Sequence, residues 1–212
     1  MYEIPTHIEV NKQSYPIRNK GDYRMVLDCF VALNDEELSH DERIYAALLI
    51  FYEYFGEDIP DDMEDEDIRF KICMNKLNEL DTDTLEQLIK QMYIFFNCGN
   101  EIDDNKLKSY QLIDWKQDSQ LISSAINKVS GQEIRALPYL HWWTFMGYYF
   151  AIGDSPLATI VGIRHKLATS QKLEKYERKF MQENPEYFKM DYRSVEDREY
   201  DRIVQEMWNS EG

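Results

Sequence analysis

The sequence predicts a mainly α protein, a helical bundle of about seven helices with an N-terminal β-hairpin. Gly and Pro number only 8 and 6 in 212 residues, too few for a turn-dense sandwich. Apolar residues recur at helical spacing from Tyr23 onward, whereas residues 6–18 read as two short strands. A hydrophobic fraction of 43%, with 14% aromatics, is enough for a core despite 24 Lys+Arg against 40 Asp+Glu, a net charge of −16.

The elements follow in order. Thr6–Val10 and Ser14–Arg18 flank turn-prone Asn11, and Pro16 suits an edge or a bulge. A lone hairpin is marginal in water, so this one is expected to pack on helices or to pair with another chain. Tyr23–Leu33 is a first amphipathic helix. Ser39 and Glu42 form a capping box opening a helix to about Phe55, with Ile44, Ala47, Leu48, Phe51, Tyr52 and Phe55 inward and Gly56 as its stop. Residues 57–67 hold eight acids and no base, which suits a solvated loop before a helix over Ile68–Leu80. A fourth helix runs from about Thr84 to Asn97 and breaks at Cys98-Gly99-Asn100. Residues 99–112 read as a long connection. Asp114 with Gln117 caps a helix carrying Leu121, Ile122, Ala125, Ile126 and Val129, which Gly131 stops.

Pro138 opens a strongly aromatic helix, Tyr139–Ile152, for which Gly153 is the expected C-cap. Ser155-Pro156 starts the next, read as continuing toward Glu183, and a last helical segment follows Ser194. The chain divides into a helical domain over residues 1–170, hairpin included, and a C-terminal helical extension over 171–212 that is no separate domain.

The acidic balance opposes a nucleic-acid or anionic-membrane surface, which needs clustered Lys and Arg. Residues 1–5 lack the basic and apolar regions of a secretory signal, and the longest apolar run, Ile44–Tyr52, is too short to span a bilayer. Cys29, Cys73 and Cys98 are an odd count without close spacing, expected to be reduced thiols in a cytosol-like compartment. His7, His40, His141 and His165 form no zinc motif, and no phosphate loop or nucleophile elbow is present. Neither cofactor nor metal is expected, and a non-enzyme is favoured.

The aromatic helix stands out. One stripe (Tyr139, Trp143, Met146, Gly147, Phe150) is expected to face the core, with Gly147 admitting a close helix. A second stripe (Trp142, Phe145, Tyr149) is left over on an adjacent face. Such a helix is either central or presented to a partner. Arg164 and Arg135 are the charges expected to finish this neighbourhood, by capping carbonyls or pairing with acids.

These residues resemble the gp-fifteen family of small proteins from long-tailed phages and prophages of Gram-positive hosts. The resemblance is carried by Ile8–Ile17, by Ser39-x-x-Glu42-Arg43-Ile44 with Ala47-Leu48, and by Asp114–Ala125. More specific are Leu140-His141-Trp142-Trp143-x-Phe145 and Ile160-Val161-Gly162-Ile163-Arg164. Together they span about residues 8–168, and the tail after 170 is unmatched. The resemblance implies a non-catalytic tail assembly chaperone that coats the tape-measure protein in the host cytoplasm and is absent from the mature virion. Its expected partner-binding residues are Trp142, Phe145, Tyr149, Trp143, Met146 and Arg164. The edge hairpin and surplus aromatic face also invite homo-oligomers.

Two other readings stay open. An acidic decoy would target a host nucleic-acid-binding or defence protein through residues 44–68, which hold nine acids and no Lys or Arg. An enzyme would need a deep polar pocket with convergent titratable groups.

Overall fold

The computed structural model describes residues 3–35, 37–55, 66–101 and 112–189. Among them are an antiparallel hairpin, β1 (His7–Val10) and β2 (Gln13–Pro16), and eight α-helices. The helices are α1 (Tyr23–Leu33), α2 (His40–Phe51), α3 (Glu66–Glu79), α4 (Thr82–Phe96), α5 (Ser119–Ser130), α6 (Trp142–Phe150), α7 (Pro156–Ala168) and α8 (Lys175–Glu183). The protein is therefore mainly helical with an N-terminal hairpin. Most of the acidic run, most of the 99–112 connection and the segment after Ser194 lie outside the described residues. Two compact units interleave in sequence, Met1–Ile102 with Leu137–Gly147, and Asp103–Ala136 with Tyr148–Gly212, where the sequence divides the chain at 170.

In the first unit the hairpin turns on Asn11 and Lys12, both left-handed at φ 52° and 66°. That two-residue geometry matches the twist of the strands, and Asn tolerates it well. It directs Val10 and Tyr15 inward, and the Asn11 amide donates to Thr84 Oγ1 on α4 at 3.0 Å. The hairpin thus packs on helices of its own chain. Asp22 caps α1 by accepting from the Arg24 N–H. The capping box of Ser39 and Glu42 opens α2 as its spacing predicts.

The end of α2 differs from expectation. The helix stops at Phe51 because Tyr52 turns extended (φ −90°, ψ 137°) and bridges Ile17. The Glu53 N–H then donates to Pro16 O at 2.9 Å, and the Tyr52 hydroxyl to Leu88 O at 2.9 Å. Strand-like partners from the hairpin side replace the helical ones four residues before Gly56. Helix α4 starts on the Asp81 cap and ends where Cys98 and Gly99 turn left-handed.

In the second unit Gly131 (φ 72°) is the left-handed C-cap of α5, and Ser155 with Pro156 opens α7. The continuous helix expected to Glu183 is two helices. Ser170 turns left-handed (φ 55°), the Gln171 N–H returns to Lys166 O at 2.7 Å, and α8 starts afresh on a Glu174–Glu177 capping box. Lys166 reaches Glu177 at 2.6 Å and ties the two together. Gly153 is not left-handed, because α6 has already tightened closed through the Ala151 and Ile152 N–H groups.

Gly21 shows how closely the first unit is fitted. Its φ is +78°, and an added Cβ would lie 2.8 Å from Phe95 Cζ and 2.9 Å from His141 Nε2. Gly162, inside α7, has nothing within 4 Å of the same position. Gly21→Ala is expected to cost about 2–5 kcal/mol through strain and overpacking. Gly162→Ala is expected to stabilise by about 0.5–1 kcal/mol. Urea unfolding of both variants checks the pair.

Candidate functional site

The motif Leu140–Trp143 is built from polar obligations. The Leu140 N–H donates to Asp22 Oδ2 at 2.9 Å, and its carbonyl accepts from the Tyr23 N–H at 2.9 Å. Asp22 is held in turn by the Arg24 guanidinium, which also donates to Leu137 O at 2.7 Å. His141 accepts the Trp143 N–H at Nδ1 (3.0 Å), so the proton belongs on Nε2, which faces Pro5 O at 3.2 Å. Burial pushes the His141 pKa down, opposed by the Pro5 contact and by Asp22. His141 is therefore the cap of α6, which is why the helix expected from Tyr139 begins at Trp142.

The two indoles act on a different helix. Trp142 Nε1–H donates to Phe96 O at 3.0 Å and Trp143 Nε1–H to Phe95 O at 2.9 Å, both in the last turn of α4. Carbonyls there lack helical partners, and buried ones must find donors. Phe145 stacks on Tyr23 with centroids 4.6 Å apart and on Trp142 at 5.5 Å.

The assignment of stripes on α6 is consequently corrected. Trp142 and Phe145, expected as the leftover face, are each 1% exposed and form the inner stripe. The stripe expected inside ends in exposed Gly147 and in Phe150, 73% exposed. Open space adjoins Gly147 where a close helix was expected. Trp143 and Met146 are half-buried, and the exposed Tyr139 uses its hydroxyl on Lys20 O. Periodicity cannot rank the faces of a helix that is apolar all round. Burial ranks them, with Trp142 and Phe145 sealed inside and Phe150 in solvent.

Tyr149 and Arg164 belong to the second unit. The half-buried Tyr149 ring lies 5.7 Å from Trp115, and burial with the nearby Asp118 charge raises its pKa. Arg164 and Asp118 are fully buried and meet through two hydrogen bonds of 2.5 and 2.9 Å. The same guanidinium donates to Leu112 O at 2.9 Å and to Tyr187 O at 2.9 and 2.6 Å. Asp118 also accepts the Asp114 N–H at 3.0 Å. Arg164 thus both pairs with an acid and caps carbonyls, and Arg135 pairs with Glu133 at 2.8 Å. Of the six predicted residues, the fold brings together Trp142, Trp143 and Phe145 in one unit, and Tyr149 and Arg164 around Asp118 in the other. Sequence reasoning missed Asp118 as the partner of Arg164. Its only signal was a second Asp four residues after Asp114.

Among the described residues no group of three or more His, Cys, Asp or Glu could hold a metal ion. An open cavity of about 610 Å³ at the base of the hairpin is lined by Thr6, His7, Ser14, Lys20, Glu53 and neighbours, and by none of the six predicted residues.

Two outcomes follow from these polar centres. Arg164→Met leaves Asp118 charged and buried, with an expected loss of about 3–5 kcal/mol; thermal unfolding checks this, with Arg164→Met/Asp118→Leu recovering part of it. The His141 pKa is depressed in the fold, so the unfolded chain binds the proton first. Stability is then complete above the unfolded value of about 6.5 and is lost as pH falls through the folded value. Tm should fall between pH 7.5 and 5.5 in the wild type, and less in His141→Asn, which keeps a capping acceptor.

The chain matches the family model described as Bacteriophage Gp15 protein over residues 1–190. No curated protein and no solved structure matches it. With so much of the chain matched, and with the Leu-His-Trp-Trp and Ile-x-Gly-Ile-Arg motifs holding one unit each, the protein belongs to the Bacteriophage Gp15 protein family.

Proposed function

We propose that this protein is a non-catalytic tail assembly chaperone, which binds the tape-measure protein in the host cytoplasm during tail morphogenesis and is left out of the finished virion. Membership of a phage protein family is the observation that carries the reading. A tape measure is a long helical chain whose apolar stripes need cover before the tube assembles. The protein offers apolar side chains for that on several helices: Val31 (60% exposed), Phe70 (56%), Phe150 (73%) and Tyr176 (66%). These suit helix-in-groove contacts, and a charge of −16 keeps coated complexes apart and in solution. Trp142 and Phe145 act here as the frame of the aromatic helix; half-buried Trp143 and Met146 are the client-facing residues of the first unit, and Tyr149 and Phe150 those of the second. The acidic-decoy reading rests on residues 44–68, most of whose acids lie outside the described residues, and no further observation favours it.

Co-expression with fragments of the phage's own tape-measure protein tests the proposal. At least one fragment should stay soluble and co-purify. Val31→Ser with Phe150→Ser, both at exposed positions, should reduce recovery about tenfold while leaving the circular dichroism spectrum unchanged. If no fragment is retained or kept soluble, the proposal fails.

A further inference from the structure

We infer that the outer edge of β1 is a contact between two copies of this chain: β1 pairs antiparallel with β1 of the second copy about Ile8, which sets His7 of each opposite Glu9 of the other.

The alternation along the hairpin shows which backbone groups are free. Its turn holds two residues, Asn11 and Lys12, so Val10 and Gln13 close it as a hydrogen-bonded pair. Ile8 with Tyr15 is the next such pair, and the Ile17 N–H, donating to Thr6 O at 2.9 Å, continues the series. His7 and Glu9 hold the positions between, opposite Pro16 and Ser14. Their N–H and C=O groups therefore point away from β2, and no backbone hydrogen bond among the described residues takes them up. The other side of the hairpin is treated differently. Pro16 O accepts the Glu53 N–H and Ile17 bridges Tyr52, so β2 has a neighbour on both sides.

Burial follows the same asymmetry. Ile8 and Tyr15 are directly opposed on the packed face, yet Tyr15 is 1% exposed and Ile8 only half-buried. Cover runs out toward the β1 edge. On the outer face the His7 and Glu9 side chains are 57% and 59% exposed. Such a row of unanswered backbone groups is a template for another strand.

The side chains select that strand. An antiparallel second copy can oppose outward-pointing residues in three ways: His7 to His7, Glu9 to Glu9, or His7 to Glu9 twice over. Like charges directly opposite weaken a ladder and unlike charges support it, so the third register is favoured. Each His7–Glu9 pair then exchanges two backbone bonds, and the two Ile8 side chains meet on the packed face at the two-fold axis. Within one copy His7 Nε2 already lies 3.8 Å from Glu9 Oε1, so both groups are placed to pair across copies as well. Pro5, which has no N–H, ends the ladder on one side and the turn at Asn11 ends it on the other. A self-complementary contact of this kind closes at two copies and does not grow into a fibre. The same side chains disfavour other registers, which guards the edge against general aggregation.

Sedimentation equilibrium of the full chain tests this. The wild type should pass from monomer to dimer as its concentration rises to about 1 mM, and a monomer throughout overturns the inference. His7→Glu opposes two carboxylates and should weaken the dimer at least about tenfold, while the exchange His7→Glu/Glu9→His should restore it to within about threefold. A dimer that His7→Glu leaves unchanged, or that the exchange does not restore, overturns the contact. Cross-linking reads the register independently, and decides the matter should His7→Glu alter the circular dichroism spectrum. In a Cys98→Ser background, Ile8→Cys should form a covalent dimer on mild oxidation, because directly opposed residues in a non-hydrogen-bonded pair lie within disulfide reach. His7→Cys and Glu9→Cys should not. A covalent dimer through Cys at position 7 or 9, or none at position 8, overturns the inference.

Discussion

The first unit depends on the last turn of α4 finding donors for its carbonyls. Ile94 O takes the Gly99 N–H at 2.8 Å, and Phe95 O and Phe96 O take the indoles of Trp143 and Trp142. Those two bonds come from residues some fifty positions downstream, so they decide much else. They set the start of α6, hence the depth of Phe145 against Tyr23, hence the placing of Leu140 beside the cap of α1. His141 completes the arrangement by capping α6 and reaching Pro5 from one ring. A side chain that must accept on one nitrogen and donate from the other has a single suitable protonation state. The unit is thereby sensitive to a single proton.

The second unit is organised on the same principle with a charge in place of indoles. Arg164 is buried with Asp118, and such a pair is weak grounds for net stability because desolvation offsets its attraction. Its value lies in geometry. One planar guanidinium fixes Asp118, Leu112 O and Tyr187 O at once. The family match runs on to residue 190, beyond the 168 that the motifs alone suggested. The hold on Tyr187 gives that extent a physical sense, since residues near 187 close the same polar centre as Arg164. Each specific motif therefore marks a place where buried polar groups are satisfied.

Local chemistry explains which parts of the fold were legible in the sequence. Helix starts with a side-chain cap, at Ser39 and Ser155, were readable because the cap oxygen and the N–H that donates to it lie within three residues. The stop at Gly131 was readable for the same reason. Features settled by distant partners were not. Helix α2 ends early because Ile17 and Pro16 claim Tyr52 and Glu53, and α6 starts late because Asp22 and Tyr23 claim Leu140. Helix α7 ends at a left-handed Ser170, a position that composition does not single out. The aromatic helix suffered most: its existence was legible, and the facing of Trp142 and Phe145 was inverted. Each face carries a tryptophan that donates to α4, and those acceptors lie on another helix, so local spacing could not separate the faces.

That inversion changes the way the proposed chaperone would hold a client. Ring after ring is committed to the interior, as with Phe51 against Phe95 and Phe96 or Phe30 against Trp142. The large apolar side chains left outside among the described residues are spread over several elements: Val31 on α1, Ile68 and Phe70 on α3, Val129 on α5, Phe150 on α6 and Tyr176 on α8, with Ile4 and Tyr139 outside the helices. Isolated contacts of this kind make no strong hot spot, which needs a packed and desolvated centre. In the proposed chaperone, affinity for a long client would then come from many copies acting along one chain, each weak enough for the growing tube to displace.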